Sequence, residues 1–462
     1  MSQLGHQPLS PLDGRYRETT APLADYFSEA ALNRMRVRVE IEWLILLCAS
    51  GVAGTSPLPS PTVAALRAVV DNFGSDDIAT LGNYEATTKH DVKAVEYFVR
   101  DVLTQHDLSS LHELVHFGCT SEDINNVSYA LLVRDAIANV WLPALDAVCA
   151  KLTSLATQWR DQPMLSRTHG QPATPTTVGK EIAVFAHRLQ RIRSRISHQT
   201  YLAKFSGATG TFSAHVIAEP SVKWPALSKK FIESLGLTWN PLTTQIESHD
   251  ALAELLSAVS HGNKIVHNLA TDMWSYISLG YLRQIPEPGA TGSSTMPHKI
   301  NPIRFENAEA NCELSSALLD SLSTTLVTSR LQRDLTDSTS QRNIGVALGH
   351  SLLALSNVTK GLGDVALNSD AIDDDLNHNW EVLAEAIQTV IRAEIVRGSS
   401  SLSDPYAVVK DLTRGQAVTQ EQLTSFVDGL DISPEAKKAL SSLTPGTYTG
   451  LAASLVDYLK DS

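Results

Sequence analysis

This chain has little cysteine, no long apolar run and no excess of positive charge. Its four cysteines, Cys48, Cys119, Cys149 and Cys312, form no Cys-x-x-Cys pair. That removes the common redox and metal-binding spacing. Three of them lie in apolar helical contexts, where a buried free thiol is expected, and such usage fits a reducing, cytoplasmic compartment. No stretch approaches the roughly 18 apolar residues of a membrane helix. The longest candidate, 43–54, is shorter and follows Glu42. The first residues lack a basic region followed by an apolar run, so no secretory signal is expected. The formal net charge of −13 argues against nucleic-acid and anionic-membrane partners. It also means that an anionic substrate needs a local basic cluster.

What is present is helical periodicity. Leu32, Met35, Val39, Trp43 and Leu46 recur every three or four residues, as do Val92, Val95, Phe98, Val99 and Val102. Ser60-Pro61 reads as an N-cap followed by proline at the first helical position. Apolar residues persist at helical spacing from Ser121 to about Arg160, through a kink at Pro143. The stretches 179–205, 249–281, 302–325 and 342–362 read the same way and exceed the mean helix of about 11–12 residues. Alternating strand patterns are scarce, so the fold class is all-α, with a central bundle of long helices. These carry apolar residues on several faces, which implies an oligomeric core. Length alone suggests about three domains. Breaks at 105–110 and before 368–370 divide the chain into 1–111, 112–365 and 366–462. There is no internal repeat and no low-complexity segment.

The densest chemistry lies in Gly292-Ser293-Ser294-Thr295-Met296-Pro297-His298-Lys299-Ile300-Asn301-Pro302. Its glycines and prolines forbid a long helix. A loop rich in Ser, His, Lys and Asn is costly to order unless it does chemistry. Ser166-Arg167-Thr168-His169-Gly170-Gln171-Pro172 is another polar stretch, and its prolines keep His169 out of a helix interior. Thr120-Ser121-Glu122-Asp123 reads as a helix cap with acidic first-turn residues. Hydroxyls beside free helical N–H groups also make a carboxylate site. Arg333, Ser338 and Arg342 surround Thr336-Asp337, whose turn is expected to bring the two arginines together; guanidinium forks match phosphate oxygens. The plain alternative for these arginines is ion pairing with nearby aspartates. His112-Glu113-Leu114-Val115-His116 matches a zinc-peptidase string, but a catalytic zinc needs a third protein ligand. The segment runs at once into Gly118 and a new cap, so surface and core histidines are the better reading. The stretch from Gly170 to Lys180 has the wrong spacing for a phosphate loop.

Taken in order, Ser10-Pro11-Leu12-Asp13-Gly14-Arg15-Tyr16, Thr120 to Asn126, Ser166 to Pro175, the 292–302 loop and Gln332 to Ser338 with Arg342 resemble the signature segments of the fumarase/aspartase/argininosuccinate lyase superfamily. The Met-Pro-His-Lys form of the loop resembles the branch whose substrates join a succinyl amine to a nucleotide phosphate. The resemblance implies β-elimination of fumarate, small-molecule nucleotide substrates, a homotetramer whose active sites are shared between subunits, and no metal or organic cofactor. It makes Ser293 the general base and His169 the general acid, with Lys299 and Asn301 serving the anionic intermediate. An acidic partner for His169 is expected, and Glu306, at the start of the helix after the loop, is the candidate. Thr120 and Ser121 would contact the succinyl part, and Thr168, Gln245 and Asn307 other parts of the substrate. Arg15, Tyr16, Arg333, Ser338 and Arg342 would hold phosphate and ribose. Lys89-His90-Asp91 aligns with a further contact segment, Lys89 at a variable position. Sister lyases of the argininosuccinate or fumarase type are the alternative. Their substrates lack a phosphate, so Arg15, Arg333 and Arg342 would be left without a purpose.

Overall fold

The structure, a computed structural model, describes residues 8–286, 296, 299–413 and 418–460. Ser293 and most of its loop therefore lie outside the described residues. Helices dominate. The ones that matter for the site are α1 (Glu29–Ala49), α2 (Asp91–Gln105), α3 (Ser121–Ala136) and α4 (Leu142–Gln158). A hairpin of β1 (Pro163–Thr168) and β2 (Gln171–Thr177) follows, then α5 (Val178–Ser197), α6 (Asp250–Ser278) and α7 (Ile303–Leu326). The short α8 (Thr336–Gln341), α9 (Ile344–Gly363), α10 (Ser369–Asn377) and α11 (Ala384–Arg397) complete the set. All-α is the class; the described strands pair only in twos.

Contacts group the chain into two compact units, each assembled from separated stretches. One holds residues up to 145, 192–264 and 310–356; the other holds 146–191, 265–309 and 357–462.

The first unit is organised around α1. Its apolar stripe buries Leu32, Met35, Val39 and Trp43. Trp43 packs against Phe205, Phe231 and Trp224, with ring centroids 4.4, 5.1 and 6.5 Å away. Its indole N–H donates to the Phe117 carbonyl at 3.2 Å, which fixes the chain just before Thr120. Truncating such a buried tryptophan to alanine costs about 3–5 kcal/mol.

The helix runs on past Pro143, as the periodicity implies. Between α3 and α4, residues 137–141 make a π-turn in which the Leu142 N–H donates to the Ile137 carbonyl. A wider turn just before the proline absorbs its missing N–H without breaking the helix. Ser60 does not cap its helix: the helix begins at Ser60 itself, and Pro59 occupies the cap position. His112 lies in a short 3-10 helix, Ser109–Leu114, that ends before His116, so the segment is not an α-helix and its two histidines part. The His112 ring lies 3.0 Å from the Thr104 hydroxyl, and the His116 ring 2.6 Å from Glu40.

In the second unit the 163–177 stretch is an antiparallel hairpin, where the prolines had excluded only a helix interior. Thr168 pairs with Gln171, leaving His169 and Gly170 as a two-residue turn. Both have positive φ, 52° and 74°. A two-residue hairpin turn of this hand needs positive φ at both positions, which glycine adopts freely and histidine more readily than most residues.

Candidate active site

The first group of candidate residues meets on a continuous polar network within the first unit. Arg36 starts it. This arginine is 1% exposed and projects from the buried side of α1. Its guanidinium donates to Asp91 at 2.7 Å and to Asn125 at 2.9 Å. Asn125 donates to Glu122 at 3.0 Å, and Glu122 pairs with Arg333 at 3.2 Å. Arg333 also pairs with Asp337 at 3.1 Å, and Asp337 lies 3.3 Å from the buried His249. Arg342 closes the other end, 3.3 Å from Asp91 and 2.9 Å from Glu29. It donates back to the Ser338 carbonyl at 3.2 Å, with the Ser338 hydroxyl 3.4 Å away. The turn expected at 336–338 is the short helix α8, and it does bring Arg333, Ser338 and Arg342 onto one network. The ion pairing weighed as their plain alternative is also present.

Charge in this network is nearly balanced. Arg36, Arg333 and Arg342 face Glu29, Asp91, Glu122 and Asp337, three cations against four carboxylates. Burial pushes the Asp91 carboxyl upward, but Arg36, the Val92 N–H and Arg342 outweigh it and hold the group below its ordinary value. A phosphate entering here therefore needs cations beyond these three. Arg15 is exposed, stacks 5.9 Å over the Tyr16 ring, and has no ion pair among the described residues.

Around the network the remaining candidates occupy helix ends and turns. His90 caps α2, its ring accepting the Lys93 N–H at 3.2 Å. Lys89 precedes it with φ 55°. Thr120 caps α3, and its N–H donates to Asp123 at 2.8 Å. Asp123 is fully buried and pairs with Lys204 at 2.9 Å, while the Ser206 N–H donates to it at 2.7 Å. Thr120 and Ser121 are half-buried at this fixed helix start. Gln245 donates to the Ala208 carbonyl at 2.9 Å. Beside that contact a Cβ on Gly210 would lie 2.2 Å from the Thr243 carbonyl, so only glycine allows the two loops this close.

The second group lies in the other unit. Thr168 and His169 are exposed at the hairpin tip, and the His169 ring has no hydrogen-bond partner among the described residues. Glu306, exposed in the first turn of α7, accepts the Trp274 indole N–H at 3.1 Å. It is not bonded to His169 within the chain. Asn307 accepts from Asn357 at 2.9 Å. Lys299 is exposed, its N–H bonded to the Met296 carbonyl at 3.0 Å. The Asn301 side-chain oxygen is buried without a hydrogen-bond partner among the described residues. Ser293 lies outside the described residues.

Arg36, His249 and Gln341, whose amide lies 3.2 Å from the His249 ring, carried no assignment from sequence, and Glu122, Asn125 and Asp337 were seen only as members of motifs. Arg36 left one readable signal: it follows Leu32 by four residues, so it shares the apolar side of α1, and a cation there needs an anionic partner.

Comparison with known proteins now bears on these residues. Residues 14–314 match the Lyase family, and 329–449 match the family of adenylosuccinate lyase C-terminal regions. The adenylosuccinate lyase of Escherichia coli (strain K12) is 45% identical over 454 residues, covering 98% of each chain. That of Legionella pneumophila (strain Corby) is 46% identical over 450 residues, 97% of each. Among solved structures, a fumarate lyase from Mesorhizobium sp. BNC1 superposes with TM-score 0.74 at 20% identity, over 96% of this chain and 98% of that one. A 3-carboxy-cis,cis-muconate lactonizing enzyme from Pseudomonas putida gives 0.73 at 20%, over 96% of each. These two speak to the fold alone. The family match over 14–314 defines the class, a helical lyase. Within that class, the chain belongs to the adenylosuccinate lyase family.

Proposed function

We propose that this enzyme cleaves adenylosuccinate to AMP and fumarate, and succinyl-aminoimidazole-carboxamide ribotide to the free amine and fumarate. One observation carries the reading: 45% identity to an adenylosuccinate lyase across 98% of both chains. Both substrates join a nucleotide phosphate to a succinyl amine, so one site serves both.

The chemistry is β-elimination. Ser293 removes a proton from the succinyl carbon beside a carboxylate. A serine hydroxyl is a weak base and must be activated, so backbone N–H groups of the Gly292-Ser293-Ser294 segment are assigned to stabilise its alkoxide. The released electron pair spreads onto the carboxylate, giving a dianion that Lys299 and Asn301 stabilise. The pair then forms the fumarate double bond as the C–N bond breaks. His169, carrying a proton, gives it to the departing nitrogen. Glu306 is assigned to hold that imidazole in the assembled enzyme, since within one chain it bonds Trp274 instead.

Thr120 and Ser121 grip the succinyl carboxylates at the start of α3. Arg333, Ser338 and Arg342, with Arg15 and Tyr16, take the phosphate and ribose. Lys89, His90, Asp91, Thr168, Gln245 and Asn307 contact the remainder. The three-against-four charge balance around Arg333 supports a site completed by groups from other subunits, in a homotetramer. All four cysteines are free thiols, which supports a cytoplasmic setting.

The test is fumarate release, followed by ultraviolet absorbance, from a panel of succinyl substrates. Adenylosuccinate and the ribotide should be cleaved, and argininosuccinate and malate should not. Turnover of argininosuccinate or malate with no turnover of either nucleotide would reassign the enzyme.

A further inference from the structure

The tip of the hairpin that carries His169 has almost no apolar anchorage. Met164 and Leu165 are buried, but residues 166–174 are exposed or half-buried throughout. The strand register slips between Met164 and Ser166. A two-stranded hairpin on its own is marginally stable, so something else must fix the tip.

Asp375 of α10 supplies the missing hold. Its carboxylate pairs with the guanidinium of Arg167, two residues before His169. The same carboxylate accepts the Tyr281 hydroxyl, and its other oxygen accepts from the Asn379 amide at 3.2 Å. Both oxygens are thus occupied, and the acid is pinned where Arg167 needs it. Tyr281 is 2% exposed and stacks on Tyr276 at 6.3 Å. Its backbone carbonyl accepts the Asn368 N–H at 2.9 Å, one residue before α10 begins. Two further ties hold the rest of the hairpin. Ser369 donates to Gln162 at 3.1 Å just before β1, and the Thr174 hydroxyl donates to Glu385 of α11.

We propose that Asp375 is a positioning residue for His169, holding β1 through Arg167 with Tyr281 as its buttress; this rests on the reading of His169 as general acid. The side chains of Arg167 and Asp375 are 29% and 24% exposed. A partly exposed ion pair adds only about 0–1 kcal/mol to global stability. Misplacing a reacting group by about 1 Å, in contrast, can cost on the order of 100-fold in rate. Loss of Asp375 therefore shows in turnover before it shows in stability.

The test uses the full-length assembled enzyme. Asp375→Ala should lower kcat about tenfold or more with little change in KM, on the scale that misplacement produces. Its assembly should be unchanged. Amide exchange in 163–177 should accelerate, with other helices unaffected. Asp375→Asn, which keeps a hydrogen-bond acceptor, should lie between. The discriminating variant is the double mutant: once His169 is alanine, adding Asp375→Ala should leave the residual rate unchanged. If Asp375→Ala does not assemble, Asp375→Asn and Tyr281→Phe carry the test and should each lower kcat several-fold. A kcat within about twofold of wild type in the assembled variants overturns the proposal. So does a double mutant slowed by the full factor seen in the single one, because the effect would not pass through His169. If His169→Ala itself turns over normally, the reading of His169 as acid is what fails.

Discussion

Asp91, Arg333 and Arg342 find one another within a single chain, whereas His169, Lys299 and Asn301 find nothing of the kind. In the first set each charge is met by a named opposite, from Arg342 through Asp91, Arg36 and Glu122 to Asp337. In the second, among the described residues, His169 has no partner on its exposed turn and the buried oxygen of Asn301 has no hydrogen bond. The difference separates two tasks. The groups assigned to substrate are held ready by each other. The groups assigned to chemistry are presented at turns and loops, where substrate and neighbouring subunits would supply what they lack. A buried unsatisfied oxygen costs about 1–3 kcal/mol, and such a cost is expected where function requires it.

The largest effect falls on the chemical set. Ser293→Ala should remove nearly all turnover while substrate binding persists. A base acts in the transition state, so the loss appears in kcat, on the scale of about 10²–10⁴-fold. An assembled mutant retaining more than about a tenth of wild-type kcat would remove Ser293 from that role.

Smaller and opposite in kind is the effect expected of Arg342→Met. Asp91 keeps Arg36 when Arg342 is lost, so the network survives with one cation fewer. KM for the nucleotide should rise about tenfold or more, the worth of a charge-assisted hydrogen bond of about 1.5–3 kcal/mol, and kcat should fall less. A loss confined to kcat would place Arg342 among the chemical groups and blur the comparison.

The smallest effect concerns stability. Burial pushes the His116 imidazole down, but the hydrogen bond and charge of Glu40, with Glu96 and Asp123 nearby, reverse this and leave it above its ordinary value. The sign follows directly. The folded state holds this proton more tightly than the unfolded state, so the stabilisation is complete below about pH 6.5, the unfolded histidine value. It is lost as pH rises through the higher folded value. His116→Asn tolerates the positive φ of 61° and removes the proton. Thermal melting against pH should show the wild type losing stability over that rise, and the variant losing less. Parallel melting curves would show that His116 carries no such linkage.

Sequence disclosed the two sets unequally. Long helices announced themselves through three-four periodicity, and the cap at Thr120 through its acidic first turn. The candidates of the network were legible as motifs. Their wiring was not, because Arg36 sits in an apolar stripe and meets Asp91 across 55 positions of chain. The 163–177 hairpin was missed because Pro163, Pro172 and Pro175 argue against strands. Its apolar Met164 and Leu165 are adjacent and the rest of β1 is polar, so no alternation appears. The π-turn before Pro143 needs backbone geometry that no side-chain pattern encodes. That Asp375 answers Arg167 could not be read at all, since 208 positions separate them.

The central claim is that no single chain holds a complete set of working chemical groups. The most direct measurement mixes two nearly inactive variants, His169→Ala and Ser293→Ala, under conditions that exchange subunits. If sites draw on different subunits, some sites in the mixed assemblies should contain both wild-type groups, and fumarate release should return well above either parent. Mixed assemblies verified by mass that stay as inactive as their parents would contradict the account, placing His169 and Ser293 of one site on the same chain.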